Sequence, residues 1–151
     1  MRHVAICLAL VAVLAGGCAD RAVDSPGPAP TTANDLQLAQ DRAAMADLRN
    51  ALATAKVYYT DGDTYAGFEP SVAESIEPSL TWSATGQVPT GESAVDIAGV
   101  DPSHVVLLAD SASGAAFCVA DRAVGGGGTV RGRITGVTPR TFAECAALPD
   151  W

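Results

Sequence analysis

NDLQLAQDRAAMADLRNALATAKVYYTDGD, residues 34–63, carries a helical period from end to end. Leu38, Met45, Leu48, Leu52, Ala55 and Tyr59 recur at spacings built from three and four, which puts them on one apolar stripe. Gln40, Arg42, Asp47, Arg49 and Asn50 fall elsewhere on the cylinder. Asn34 stands where an N-cap belongs, Gln37 follows as its capping-box partner, and Asp35 complements the positive end of the helix dipole. Thr60-Asp61-Gly62-Asp63 supplies the stop, with glycine available for a left-handed cap. The resulting helix of about 25 residues is long for a small domain.

Downstream the period drops to two. In residues 79–84, Leu80, Trp82 and Ala84 alternate with Ser79, Thr81 and Ser83, as in a half-buried strand. Residues 94–98, 104–109, 115–121 and 129–134 read as further short strands. Turn chemistry separates them: Pro and Gly in residues 87–91, Asp101-Pro102, Ser113-Gly114, and the glycine run 125–128. One helix followed by a run of strands predicts an α+β fold. The long N-terminal helix packs its stripe on a small antiparallel sheet of about four to five strands.

Upstream, Arg2 and His3 precede an uncharged run from Val4 to Leu14. That run is shorter than the ~20 residues a spanning helix needs, so residues 1–17 read as a signal peptide. The run ends in Leu14-Ala15-Gly16-Gly17-Cys18, which resembles the bacterial lipobox, with alanine where leucine is commonest. The resemblance implies cleavage before Cys18 and a diacylglyceryl anchor on its thiol. Such an anchor is durable at ~0.8 kcal/mol per buried CH₂. Residues 18–33, rich in proline, alanine, serine and threonine, read as an extended tether. Residues 34–151 then form one globular domain held on the extracytoplasmic face of a cell membrane.

Removing the leader removes Arg2 alone among the charged residues. Eight basic residues then face all 17 acidic ones, one unit more negative than the −8 of the whole chain. This excludes non-specific nucleic-acid binding, which needs arginine and lysine to displace counterions. Cys118 and Cys145 are the only cysteines beyond Cys18, and export places them where disulfides persist. A disulfide between them pins residues 137–151 onto the strand carrying Cys118 and contributes roughly 3.6 kcal/mol in the chain-entropy model. The alternative of two free or metal-binding thiols lacks a CxxC pair or a nearby histidine.

Residues 47–65, DLRNALATAKVYYTDGDTY, resemble the second half of the long helix and the first loop of type IV pilin-like proteins and secretion pseudopilins. The segment Ile76-Glu77-Pro78-Ser79-Leu80-Thr81-Trp82 is also similar to small pilin-like domains. So are the Ser111-Ala112-Ser113-Gly114 turn before a cysteine-bearing strand and the second cysteine near the end. The likeness covers about residues 35 to 148 and implies the fold of a pilin head. Where such pilins carry a prepilin leader and an apolar half-helix with a glutamate, this chain carries the lipobox and the proline tether. The resemblance therefore implies the head fold more strongly than membership of a filament.

Catalytic signatures are sparse. His104 is the only histidine beyond the leader and reads as a strand-edge or surface residue. A Ser-His-Asp site stays open by composition, although no G-x-S-x-G elbow is present. Asp61 and Asp63 begin like a calcium loop, but its sixth position is Ala66 and its twelfth Val72. They read instead as a helix-terminating turn, with Tyr65 and Phe68 packing back toward the sheet. The glycine run 125–128 lacks the lysine of a P-loop. Arg131, Arg133 and Arg140 are candidates for a basic patch facing an acidic partner, against a plain solvated strand face. Tyr58, Tyr59, Trp82 and Trp151 are candidate contact residues, most of them expected in the core. No catalytic, metal or cofactor residue is assigned. The expected role is non-enzymatic: surface assembly, secretion or adhesion through other envelope proteins. A ligand-binding or sensing lipoprotein is the alternative.

Overall fold

The computed structural model describes residues 32–125 and 128–151. The leader, Cys18 and the tether up to residue 31 lie outside the described residues, as do Gly126 and Gly127 of the glycine run. Helix α1 (Ala33–Gly62) runs for 30 residues, about five more than expected, and starts two residues earlier than an Asn34 cap implies. Its N-cap is Thr32, not Asn34. The Thr32 hydroxyl accepts from the Asp35 N–H at 3.1 Å, and the Asp35 carboxylate accepts from the Thr32 N–H at 3.2 Å. Asp35 closes this box with a charged acceptor at the third helical position, so Gln37 has no part in it. At the other end Asp63, not Gly62, takes the left-handed position (φ 53°, ψ 28°) and donates its N–H to Tyr59 O at 2.7 Å. A short polar side chain tolerates that region.

The buried face of α1 is narrower than the predicted stripe. Ala44, Leu48, Ala51, Thr54 and Ala55 are buried, while Met45, Leu52 and Tyr59 flank them half-buried. Leu38, predicted within the stripe, is 47% exposed. The reason is length. A 30-residue helix extends about 45 Å, whereas an eight-residue strand spans about 27 Å, and the whole segment from Ala33 to Ala39 is exposed.

After α1, Tyr65 and Phe68 are buried as expected and lead into a short helix α2 (Pro70–Ile76), which the strand-oriented reading did not anticipate. Five strands follow: β1 (Thr81–Ser83), β2 (Ala94–Asp101), β3 (His104–Asp110), β4 (Ala116–Arg122) and β5 (Gly128–Ile134). They form one sheet in the order β1-β2-β3-β4-β5. β2 to β5 make an antiparallel meander, but β1 pairs with β2 in parallel, so the sheet is mixed and not purely antiparallel. Residues 84–93 cause this by returning the chain to the same end of the sheet before β2 begins. Asp96 on β2 organises that return. Its fully buried carboxylate accepts from Ser83 Oγ (2.6 Å), Thr85 N (2.7 Å), Thr85 Oγ1 (2.9 Å) and Gly86 N (2.9 Å).

β3 and β4 each bury five consecutive residues, so both faces of the sheet are covered. On one face Val105, Leu107, Phe117 and Val119 pack against α1, with Tyr65, Phe68 and Trp82 around them. On the other, Val106, Leu108, Cys118 and Ala120 pack against Cys145 and Leu148. The second cover is helix α3 (Phe142–Ala146), closed by a Thr141–Glu144 capping box and joined to β4 by the expected Cys118–Cys145 disulfide. Gly132 on β5 permits the close approach, since a Cβ there would stand 2.6 Å from Leu148 Cβ and 2.9 Å from Cys145 O. The chain then passes the outer edge of β5, where the Arg133 N–H donates to Pro149 O at 2.8 Å. No described helix is long and apolar enough to cross a membrane.

Candidate functional site

Three places gather polar side chains. The first is an open groove of about 600 Å³ between the N-terminal half of α1, the β1–β2 connection and the β3–β4 turn. Its floor includes Ala43 and Ala44, and Asp47, Glu92 and Asp110 stand around it. Asp41 ties the neighbouring turn to the helix by accepting from the Ser111 hydroxyl at 2.7 Å and from the Ser113 hydroxyl. Burial pushes the Asp47 carboxyl up, a hydrogen bond from Ser93 opposes that, and Glu92 adds to the rise.

The second joins α1 to the sheet. Asp121, buried on β4, accepts from the Tyr65 hydroxyl (2.7 Å) and the Thr129 hydroxyl (2.6 Å), and pairs with Lys56 Nζ at 3.1 Å. Burial acts to raise the Asp121 carboxyl, but these three donors outweigh it and hold the group below its ordinary value. Burial and the Asp121 carboxylate push the Tyr65 phenol far above its own. The network is saturated and has no open position for a ligand. It anchors the fold.

The third is a cleft of about 380 Å³ where the β2–β3 turn meets α3. Asp101 and Pro102 form the predicted turn, and His104 is the first residue of β3, at the end of the central strand and half-buried. The Asp101 carboxylate accepts from the backbone N–H of Ser103 (2.7 Å) and of His104 (2.8 Å), and meets His104 Nδ1 at 2.8 Å. Burial acts to raise the Asp101 carboxyl, and the donors from Ser103 and His104 bring it below its ordinary value. On the far side of the ring Arg122 Nε donates to His104 Nε2 at 2.8 Å. An imidazole that accepts at Nε2 carries its proton on Nδ1, which faces Asp101.

A serine, a histidine and an aspartate thus do meet in one turn, yet not as a triad. Ser103 Oγ lies 2.9 Å from Nδ1, the same nitrogen that serves Asp101. Nε2 is occupied by the arginine, so neither nitrogen stands ready to take a proton from the serine in the manner of a nucleophile's base.

The predicted basic trio divides between the faces. Arg131 lies over the Trp151 ring at 5.3 Å and Arg133 over Phe117 at 5.9 Å, where Arg49 of α1 joins them at 5.7 Å from Trp151. Arg140 stands on the α3 side, donating to Gly86 O at 3.2 Å. The alternation of β5 puts Arg131 and Arg133 together on the α1 face, while Arg140 lies beyond the strand on the returning chain. Of the aromatic candidates, Tyr58, Tyr59 and Trp82 pack against the core. Trp151 does too, its indole N–H donating to Cys118 O at 3.2 Å. Asp61 and Asp63 end the helix, and no group of three metal-ligating side chains occurs among the described residues.

Asp96, Arg122 and Asp121 carry no signal of their roles in the sequence. Asp101 was legible as the turn residue before the lone histidine. For the others no local pattern existed, because their partners are distant in the chain. No protein-family model, curated protein or solved structure matches this chain.

Proposed function

We propose that the chain is a membrane-tethered lipoprotein, anchored through Cys18, whose domain resembles a pilin head and acts by protein contacts in surface assembly, secretion or adhesion. The observation that supports this most is the architecture. A single capped helix of 30 residues lays its apolar stripe across a five-stranded sheet, and the C-terminal segment is stapled back by Cys118–Cys145. The reading rests on that geometry together with the lipobox-like residues 14–18. The role is non-enzymatic, in keeping with a histidine whose two nitrogens are both engaged.

Two measurements test it. Mass spectrometry of the membrane fraction should find an acylated N-terminal Cys18, and Cys18→Ser should release the protein from membranes. A photoreactive residue at exposed Leu38 should crosslink in intact cells to a component of a pilus or secretion assembly. Failure to recover any such component counts against the assembly role. A ligand-binding or sensing lipoprotein is the second reading, favoured by the 600 Å³ groove beside α1, a size usual for small-molecule sites.

A further inference from the structure

The cleft at the β2–β3 turn holds a guanidinium fixed from several sides and left unneutralised. Arg122 Nε is committed to His104 Nε2, and the guanidinium carbon lies 4.3 Å from the centre of the Phe142 ring. The histidine is itself oriented by Asp101. Among the described residues no carboxylate pairs with Arg122, and neither Nη1 nor Nη2 has a protein acceptor. No buried side-chain nitrogen or oxygen lacks a partner in the described residues, so the outer N–H groups reach solvent. The other described arginines also lie farther than 4 Å from any carboxylate, and what sets Arg122 apart is that its guanidinium is fixed, by His104 and Phe142, at the wall of a cleft.

Rigid planar forks of this kind recognise oxyanions through two parallel hydrogen bonds. The surroundings narrow the class. Val100, Val106 and Phe142 line the cleft, and the Asp101 carboxylate, also in the lining, is turned to the N–H groups of Ser103 and His104 and to the imidazole. An anion carrying an apolar body fits this mixture of lining, and the cleft lies within the small-molecule range. A bare inorganic anion would leave the apolar wall unused.

We propose that this cleft binds a small organic carboxylate, gripped through the outer N–H groups of Arg122, with its apolar body against Phe142 and the valine floor. His104 and Asp101 act as positioning residues that hold the fork in place. The proposal is independent of the assembly role, since the cleft lies on the α3 face and uses no residue of α1.

The test uses the full chain in neutral detergent, with benzoate as the probe, followed by amide and guanidinium NMR. Saturable shifts are expected at the Arg122 Nε–H and at the amides of Gly99, His104 and Phe142. Arg122→Lys keeps the charge and removes the fork, and should weaken binding about tenfold. Arg122→Gln should abolish it. His104→Gln should weaken it less while the fold, read from amide dispersion, is kept. Inorganic phosphate should bind more weakly than benzoate at the same amides. The proposal is overturned if no saturable shift appears at these positions, if Arg122→Lys binds like the parent, or if phosphate binds as well as benzoate. Should Arg122→Gln fail to fold, Arg122→Lys still decides the matter.

Discussion

The two faces of the sheet are held by different physics. The α1 face carries the volume: Leu48, Leu107, Phe117, Tyr65 and Phe68 are all buried there, with Tyr58, Trp82 and Trp151 packed around them. The α3 face has Val106, Leu108 and Ala120, then a disulfide, a capping box, a buried carboxylate and glycine where a side chain would collide. One cover adheres through apolar area, which is non-directional and tolerant of small shifts. The other adheres through a few contacts of fixed geometry, so each anchor is critical and the surface between them is not.

Substitutions can break this contrast. Phe117→Ala, at the centre of the α1 face, should cost about 3–5 kcal/mol in urea unfolding, since it removes an aromatic ring and leaves a cavity. On the opposite face Cys118→Ser with Cys145→Ser should cost about 3–4 kcal/mol by loop entropy. There the loss should be local as well, with hydrogen exchange accelerating in α3 and residues 147–151 before the strands. Uniform acceleration across both faces would refute the division.

Next in size is Asp96→Ala, which leaves the N–H groups of Thr85 and Gly86 and two hydroxyls without their shared acceptor. We expect a loss of about 2–3 kcal/mol in thermal or urea unfolding, with the β1–β2 connection the first part to exchange.

Acid should sharpen the comparison from the α1 side. Asp121 has a folded pKa below its unfolded one, so its contribution to stability is present above the unfolded value and is lost as pH falls through the folded value. Tyr65→Phe removes one donor to that carboxylate and should move the acid transition to higher pH, at a neutral-pH cost of about 1 kcal/mol. An unchanged acid midpoint would mean that Asp121 does not govern it. The smallest effect is expected from Thr141→Ala, which removes the cap of α3 for about 1 kcal/mol or less while the disulfide still holds the segment.

The same contrast explains what could be read beforehand. The α1 face was legible because apolar area leaves a period: Leu48, Leu52 and Ala55 announced the helix, and Leu80, Trp82 and the run from Val105 announced strands. The α3 face left almost none. Its helix spans five residues, too short for periodicity, although Thr141-Phe142-Ala143-Glu144 spells a capping box in plain sequence. Pro70 at the head of α2 was a similar unread start signal. The parallel pairing of β1 was hidden because Asp96 reads as one more polar strand residue until its partners, Ser83 to Gly86, are seen around it. Of the cleft, only His104 and the Asp101 turn were visible. Arg122 meets His104 through strand register, which no local pattern encodes.

Lys56 is the chain's only lysine, and its side chain is half exposed while its nitrogen is held against Asp121 and Thr129. An amine-directed label therefore finds a single side-chain target in the whole molecule. Acylating it would discharge the one cation among the described residues that fastens α1 to β4, so the labelled chain reports what that fastening contributes to stability.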